Sequence, residues 1–357
     1  MATIRCVLFL ILSFCSLVAA EQPEKVRVAG IFDLTGGGAI WGKSERNAFE
    51  LACRDFESRH PGLKLESKVE DSMFSSRQTV TAFQKLVSVD RFRFIVGPTW
   101  ETTVPMMPLC EARRVVCIAP SYHGKEFYSR KWRYNFTAWF DDRGYSATLM
   151  SRVIEKGYQR VAVFAALTPY YDGLVENIVQ LSKHPPVMIE RLSLDERDLR
   201  SLINKTPRDV DAVIMLLDNA GQIQAFLKQW SELRKDRPEI FTDDLIVYLD
   251  PPEDIGRYGF TFHYATPKFE EQRLNEFRER YKKAYHEEPQ GASASVAYDV
   301  TALLLECVAR DGSSETVRNC VADTHAYQGY SGTFSFGGEQ TVKGREMLLK
   351  TLVPGGG

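Results

Sequence analysis

"VRVAGIFDLTGGGAIWGKSERNAFELACRDFES", residues 26–58, is the stretch on which the fold turns. Inside it, Gly37 to Ser44 ("GGAIWGKS") spells Gly-x-x-x-x-Gly-Lys-Ser. In a P-loop, glycine backbone N–H groups, the lysine and the hydroxyl at this spacing hold nucleotide phosphates and Mg²⁺. The flanks suit that reading. Val26 to Leu34 is a plausible buried strand, and the helix-like run Ser44 to Ser58 carries Phe49, Ala52, Cys53 and Phe56 at i, i+3, i+4 and i+7. With glycine near 7% of residues, however, the spelling arises by chance in roughly one chain of this length in fifty to a hundred. The rest of the chain has to decide.

Working outward, strand-like and helix-like segments alternate. "LKLESKV", "FRFIVGP" and "VVCIAPS" read as strands, separated by the helical "RQTVTAFQKLV" and "TTVPMMPLCEARR". The beat then restarts: the strands "RVAVFAAL", "PVMIERLSL", "DAVIMLLD" and "DLIVYLD" alternate with four helical runs beginning at "GYSATLMSRVIEKG". Such an order predicts two α/β lobes, each a doubly wound parallel sheet. The last third is mainly helical and closes on the short β-like "YSGTFSFGG"; its helices are expected to return to the first lobe. Ligands of open α/β sheets bind beyond the carboxyl ends of the strands, so two facing lobes predict a cleft lined by strand-end loops.

Composition bounds the function. Lys plus Arg number 45 and Asp plus Glu 47, a net charge of -2 that gives no electrostatic footprint for nucleic acid or an anionic membrane. Residues 1–20 carry Arg5, an apolar run and a Val18-Ala19-Ala20 end, the pattern of an export signal, which predicts a periplasmic or extracellular protein. Five cysteines follow it. Cys307 and Cys320 end two successive helical runs and are the candidate disulfide pair. No H-E-x-x-H, G-x-S-x-G or C-x-x-C occurs, so no catalytic centre, metal or cofactor is expected.

Taken in order, these segments resemble the type I periplasmic solute-binding proteins, the leucine/isoleucine/valine-binding group. The carrying residues are the 26–58 stretch, "LKLESKVEDSMFSSRQTVTAFQKLV", "FRFIVGPTWETTV", "VVCIAPS", "YQRVAVFAALTPYYDGLVENI", "GASASVAYDVTALLLECVAR" and "YSGTFSF". The resemblance implies two Rossmann-like lobes joined by a three-stranded hinge, with lobe 1 at 21–142 plus 266–328 and lobe 2 at 143–265 plus 329–357. It implies a monomer that closes on an amino acid, an aromatic compound or another small solute and delivers it to a membrane ABC permease. A sensor of the same fold is the alternative, and a P-loop ATPase the remote one.

Family ligand contacts, carried over position by position, fall on Trp41 after the first strand and on Trp100, Glu101 and Thr102 after "FRFIVGP". Ser121, Tyr122 and His123 follow "VVCIAP", and Tyr170, Asp218 and Asp250 come from the second lobe. Glu101 stands where a neutral serine is usual and would repel a ligand carboxylate, whereas the aromatic residues suit a ring or a cation. The acid pairs Asp141-Asp142 and Asp243-Asp244 are read as solvated helix ends or loops. On this resemblance, Lys43 and Ser44 merely open a helix and Trp41 becomes the residue of interest.

Overall fold

The structure is a computed structural model and describes residues 25–249 and 255–354; the expected export signal, 1–20, lies outside them. The first sheet is fully parallel, in the order β2-β1-β3-β4-β5. Its strands are β1 (Lys25–Phe32), β2 (Lys64–Asp71), β3 (Phe94–Val96), β4 (Val116–Ala119) and β5 (Asn135–Thr137). The second runs β13-β10-β9-β8-β6-β7. It comprises β6 (Val161–Ala166), β7 (Met188–Leu192), β8 (Ala212–Leu216), β9 (Glu239–Asp243) and β10 (Phe262–Pro267), with β13 (Met347–Leu352) antiparallel on the edge. A small hairpin, β11 (Tyr327–Gly329) and β12 (Gly332–Phe334), completes the set.

Apolar side chains explain this layering. All residues of β6 and β8, "VAVFAA" and "AVIML", are buried, as strands covered by helices on both faces must be. One face of the first sheet packs Val26, Val28, Val96 and Ile118 against Val296, Val300 and Leu304 of the helix Ser293–Arg310. The late helices thus return to the first lobe. Crossings between the lobes fall at 137–142, 267–271 and 342–347, which supplies the three connections of a hinge. Both sheets change strand order in the middle, between β1 and β3 and between β6 and β8, and the crevices at these switch points face each other.

Three expectations need correction. Residues 329–342 travel with the first lobe: Phe334, Phe336 and Val342 are buried in its core, and Thr137 donates its N–H to the Gln340 carbonyl at 2.9 Å. "DLIVYLD" is not a strand, because Glu239–Asp243 takes the β9 position and Leu245–Leu249 is a short helix. An apolar run too short to show a period reads equally as strand or buried helix.

The nucleotide reading also fails. The helix Ala39–Arg59 begins inside the Gly37–Ser44 spelling, Lys43 is exposed on it, and the Ser44 hydroxyl accepts the Gln290 N–H at 3.0 Å. Gly42 instead packs on the β1 end, where an added Cβ would lie 2.2 Å from the Asp33 carbonyl oxygen. The buried Asp33 carboxylate beside Gly38 would repel a phosphate.

Cys307 and Cys320 are joined by a disulfide, with Cα atoms 5.7 Å apart. A second disulfide, Cys110–Cys117, links the helix Met107–Arg113 to β4. Cys53 is a free, buried thiol, and burial pushes it up to about 12.

Candidate ligand-binding cleft

Loops from the facing crevices line a cleft between the lobes that is partly open to solvent. Its wall is aromatic. Trp41 rises from the first turn of Ala39–Arg59 and lies over Gly291. That glycine has φ +73°, and an added Cβ would stand 3.1 Å from the indole. Trp100 follows β3, with its N–H 3.4 Å from the Ser121 hydroxyl. Its φ of +48° is costly for so bulky a residue, the kind of strain that gathers at binding sites. The Trp41 and Trp100 rings are 4.7 Å apart, and on its other side Trp100 stacks with Tyr170 of the second lobe at 6.4 Å and 19°. Trp139 and Tyr145, on either side of the first crossing, extend the wall.

The same lining holds an acidic pair. Asp243 ends β9 and Asp244 follows; both line the cleft. Tyr171 donates its hydroxyl proton to Asp243 Oδ2 at 2.8 Å, and the Leu245 N–H reaches Oδ1 at 3.2 Å. Thr266 donates to Asp244 Oδ2 at 3.0 Å, while the Asp244 N–H bonds the Tyr145 hydroxyl at 3.1 Å. Burial, reinforced by the neighbouring carboxylate, pushes Asp243 up to about 8, and burial pushes Asp244 up to about 6. No Lys, Arg or His stands among the described residues that line it. Chemically this is a low-dielectric lining of carboxyl groups and π faces, both favourable to a cation.

The first-lobe floor is made of small residues, Gly291, Ala292 and Ser293. Beneath it Glu45 is fully buried, accepting the Thr99 hydroxyl at 2.9 Å, and burial pushes it up to about 7. Among the described residues, no group of three or more His, Cys, Asp or Glu is placed to hold a metal. No helix among them is long and apolar enough to cross a membrane.

Residues 25–353 match the profile of a family described as periplasmic binding protein. The chain belongs to that family. Solved relatives share its fold at low identity. One is the branched-chain amino acid transporter substrate-binding protein LivJ from Streptococcus pneumoniae, in complex with isoleucine. It is 18% identical with a TM-score of 0.77, over 91% of this chain and 100% of that one. The leucine-binding protein LivK from Thermotoga maritima is 19% identical with a TM-score of 0.72, over 92% and 99%. An ABC-transporter solute-binding protein from Rhodopseudomonas palustris, in complex with 3,4-dihydroxybenzoic acid, is 19% identical with a TM-score of 0.73, over 92% and 93%.

In this periplasmic binding protein, Trp41, Trp100 and Tyr170 come together in the cleft lining. Five other candidates do not line it. Thr102 is buried, with its hydroxyl on the Thr99 carbonyl and facing Asp33 at 3.4 Å. Ser121 props the Trp100 backbone, and Tyr122 donates to Glu126. His123 bonds the Trp139 carbonyl at 3.1 Å and packs on Phe127; burial lowers its pKa. These side chains build the loops that carry the aromatic residues. Asp218 is half-buried behind Asp243, outside the lining, and burial raises its pKa. Asp250 and the Glu101 side chain lie outside the described residues.

Sequence reasoning missed Trp139, Tyr145, the Gly291–Ser293 floor and, most consequentially, the acid pair. Asp243 is buried and Asp244 half-buried in the cleft lining, rather than solvated caps. Their signal was the β-prone "EIFT" directly before them, which puts the acids at a strand's carboxyl end.

Proposed function

We propose that the cleft binds a small solute carrying a protonated amine on an apolar or aromatic body, and that the exported, monomeric protein delivers it to an ABC permease without transforming it. The observation that carries this reading is the acidic pair of buried Asp243 and half-buried Asp244, which shares the lining with indole rings and with no basic side chain among the described residues. Ionising a buried acid is costly unless a cation accompanies it. Branched-chain amino acids bound by relatives also carry an ammonium group, so the reading keeps that shared feature. It drops the carboxylate, for which the lining offers no cationic partner.

A thermal-shift panel tests it with benzylamine, phenylethylamine, leucinamide, leucine, benzoate and Mg-ATP. The amines and leucinamide are expected to raise the melting temperature, with about 2.7 kcal/mol of stabilisation at 100-fold over Kd. Benzoate and Mg-ATP are expected to leave it unchanged. Stabilisation by benzoate and by no amine would overturn the proposal.

A further inference from the structure

Two buried polar atoms on the first-lobe side of the cleft have no hydrogen-bond partner, Glu45 Oε1 and Ser293 Oγ. Native proteins leave few such groups, and each calls for an explanation. Here four elements converge on the same spot. Glu45 comes from the helix Ala39–Arg59 and Ser293 from the first residue of Ser293–Arg310. Thr99 comes from the loop after β3 and Ser121 from the loop after β4. Thr99 donates to Glu45 Oε2, the Ser121 hydroxyl accepts the Trp100 N–H, and the Ser121 and Ser293 hydroxyls both lie toward the Glu45 carboxyl. Ser293 lines the cavity, and Glu45 lies against it from behind. Asp243 and Asp244 stand on the other lobe.

We propose that Ser293, backed by Glu45, forms a second polar subsite that accepts a hydrogen bond from an N–H group at the far end of the ligand, so that the preferred solute is a diamine-type molecule with a donor at each end and an apolar middle. The inference rests on the amine reading of the Asp243-Asp244 side. A ligand N–H donates to the Ser293 oxygen, whose own proton turns to Glu45 Oε1. Both orphan acceptors are then satisfied in one chain, and the negative carboxylate strengthens it. The small floor, Gly291 and Ala292, leaves room for that end of the ligand beneath Trp41. With the lobes drawn together, as in the Trp100–Tyr170 stack and the Lys125–Glu176 ion pair at 3.0 Å, Ser293 is sealed from solvent. The ligand therefore enters while the lobes are apart and completes the subsite as they close.

The test is calorimetric titration of the full mature chain with benzylamine and with p-xylylenediamine, the same ring bearing a second aminomethyl group. The diamine is expected to bind the wild type about tenfold tighter or more, the scale of one charge-assisted hydrogen bond. Ser293→Ala should bring that ratio close to one, and Glu45→Gln should reduce it in the same direction. Equal binding of the two amines to the wild type, or a ratio that survives both substitutions, would overturn the subsite and leave the amine reading intact. Binding of neither amine would overturn both.

Discussion

Removing the Trp100 ring is the sharpest perturbation of the cleft, because that indole touches Trp41 on one side and Tyr170 of the opposite lobe on the other. For a cationic ligand the ring supplies one face of the lining, worth ~0.5–2 kcal/mol as a cation–π contact. The lost burial and stacking add ~1 kcal/mol. Trp100→Ala should therefore weaken benzylamine binding by about 1.5–3 kcal/mol, roughly 10- to 150-fold in Kd. Stability should respond differently. Alanine inherits the left-handed backbone at φ +48°, whereas glycine adopts it without strain, so Trp100→Gly should be about 1 kcal/mol more stable than Trp100→Ala. The two variants should bind alike and melt apart. Calorimetric titration and denaturant unfolding of both variants check this. A Kd within threefold of wild type, or a Trp100→Ala protein more stable than Trp100→Gly, would refute the reasoning.

Amine affinity should depend on pH in a set direction. With Asp243 up to about 8 and Asp244 up to about 6, a cation must draw both carboxyls into their ionised forms. Kd should then strengthen from pH 6 to pH 8, by at most about tenfold per unit for each proton released; a flat profile would contradict this. Stability of the unliganded protein should run the other way. An acid whose folded pKa exceeds its unfolded value near 4 keeps more protons when folded, so its contribution is complete below the unfolded pKa and is lost as pH rises through the folded one. The unliganded melting temperature should fall between pH 5 and pH 8, and Asp243→Asn should flatten the slope. Replacing Cys307 and Cys320 by serine should cost about 3 kcal/mol in denaturant unfolding, from the 13-residue separation that their bond closes. Ligand affinity should hold, since neither cysteine lines the cleft.

How far the residues themselves announce this molecule varies with position. Long periodic segments were legible: Phe49, Ala52, Cys53 and Phe56 show one helical face, and all four are buried in the core. Strand-end aromatic residues were legible as well, because a tryptophan such as Trp41 or Trp100 in a loop has few reasons to be there. Asp243 and Asp244 were not. Two adjacent acids look solvated unless the strand before them is recognised, and "EIFTDD" was overshadowed by the more apolar "LIVYL" that follows it. Ser293 carried no signal either, since its role depends on Glu45, 248 positions earlier, reaching the same point through tertiary packing. Cys110–Cys117 was equally hidden, because a helix-to-strand turn had to place the two thiols together.

A crystal structure of the protein grown with the tightest-binding amine of the panel tests the central claim most directly. The ligand nitrogen should lie within hydrogen-bonding distance of the Asp243 or Asp244 carboxylate, with its apolar body between Trp41, Trp100 and Tyr170 and both lobes in contact with it. An amine found outside the interlobe cleft, or one whose nitrogen turns away from both aspartates, would contradict the account.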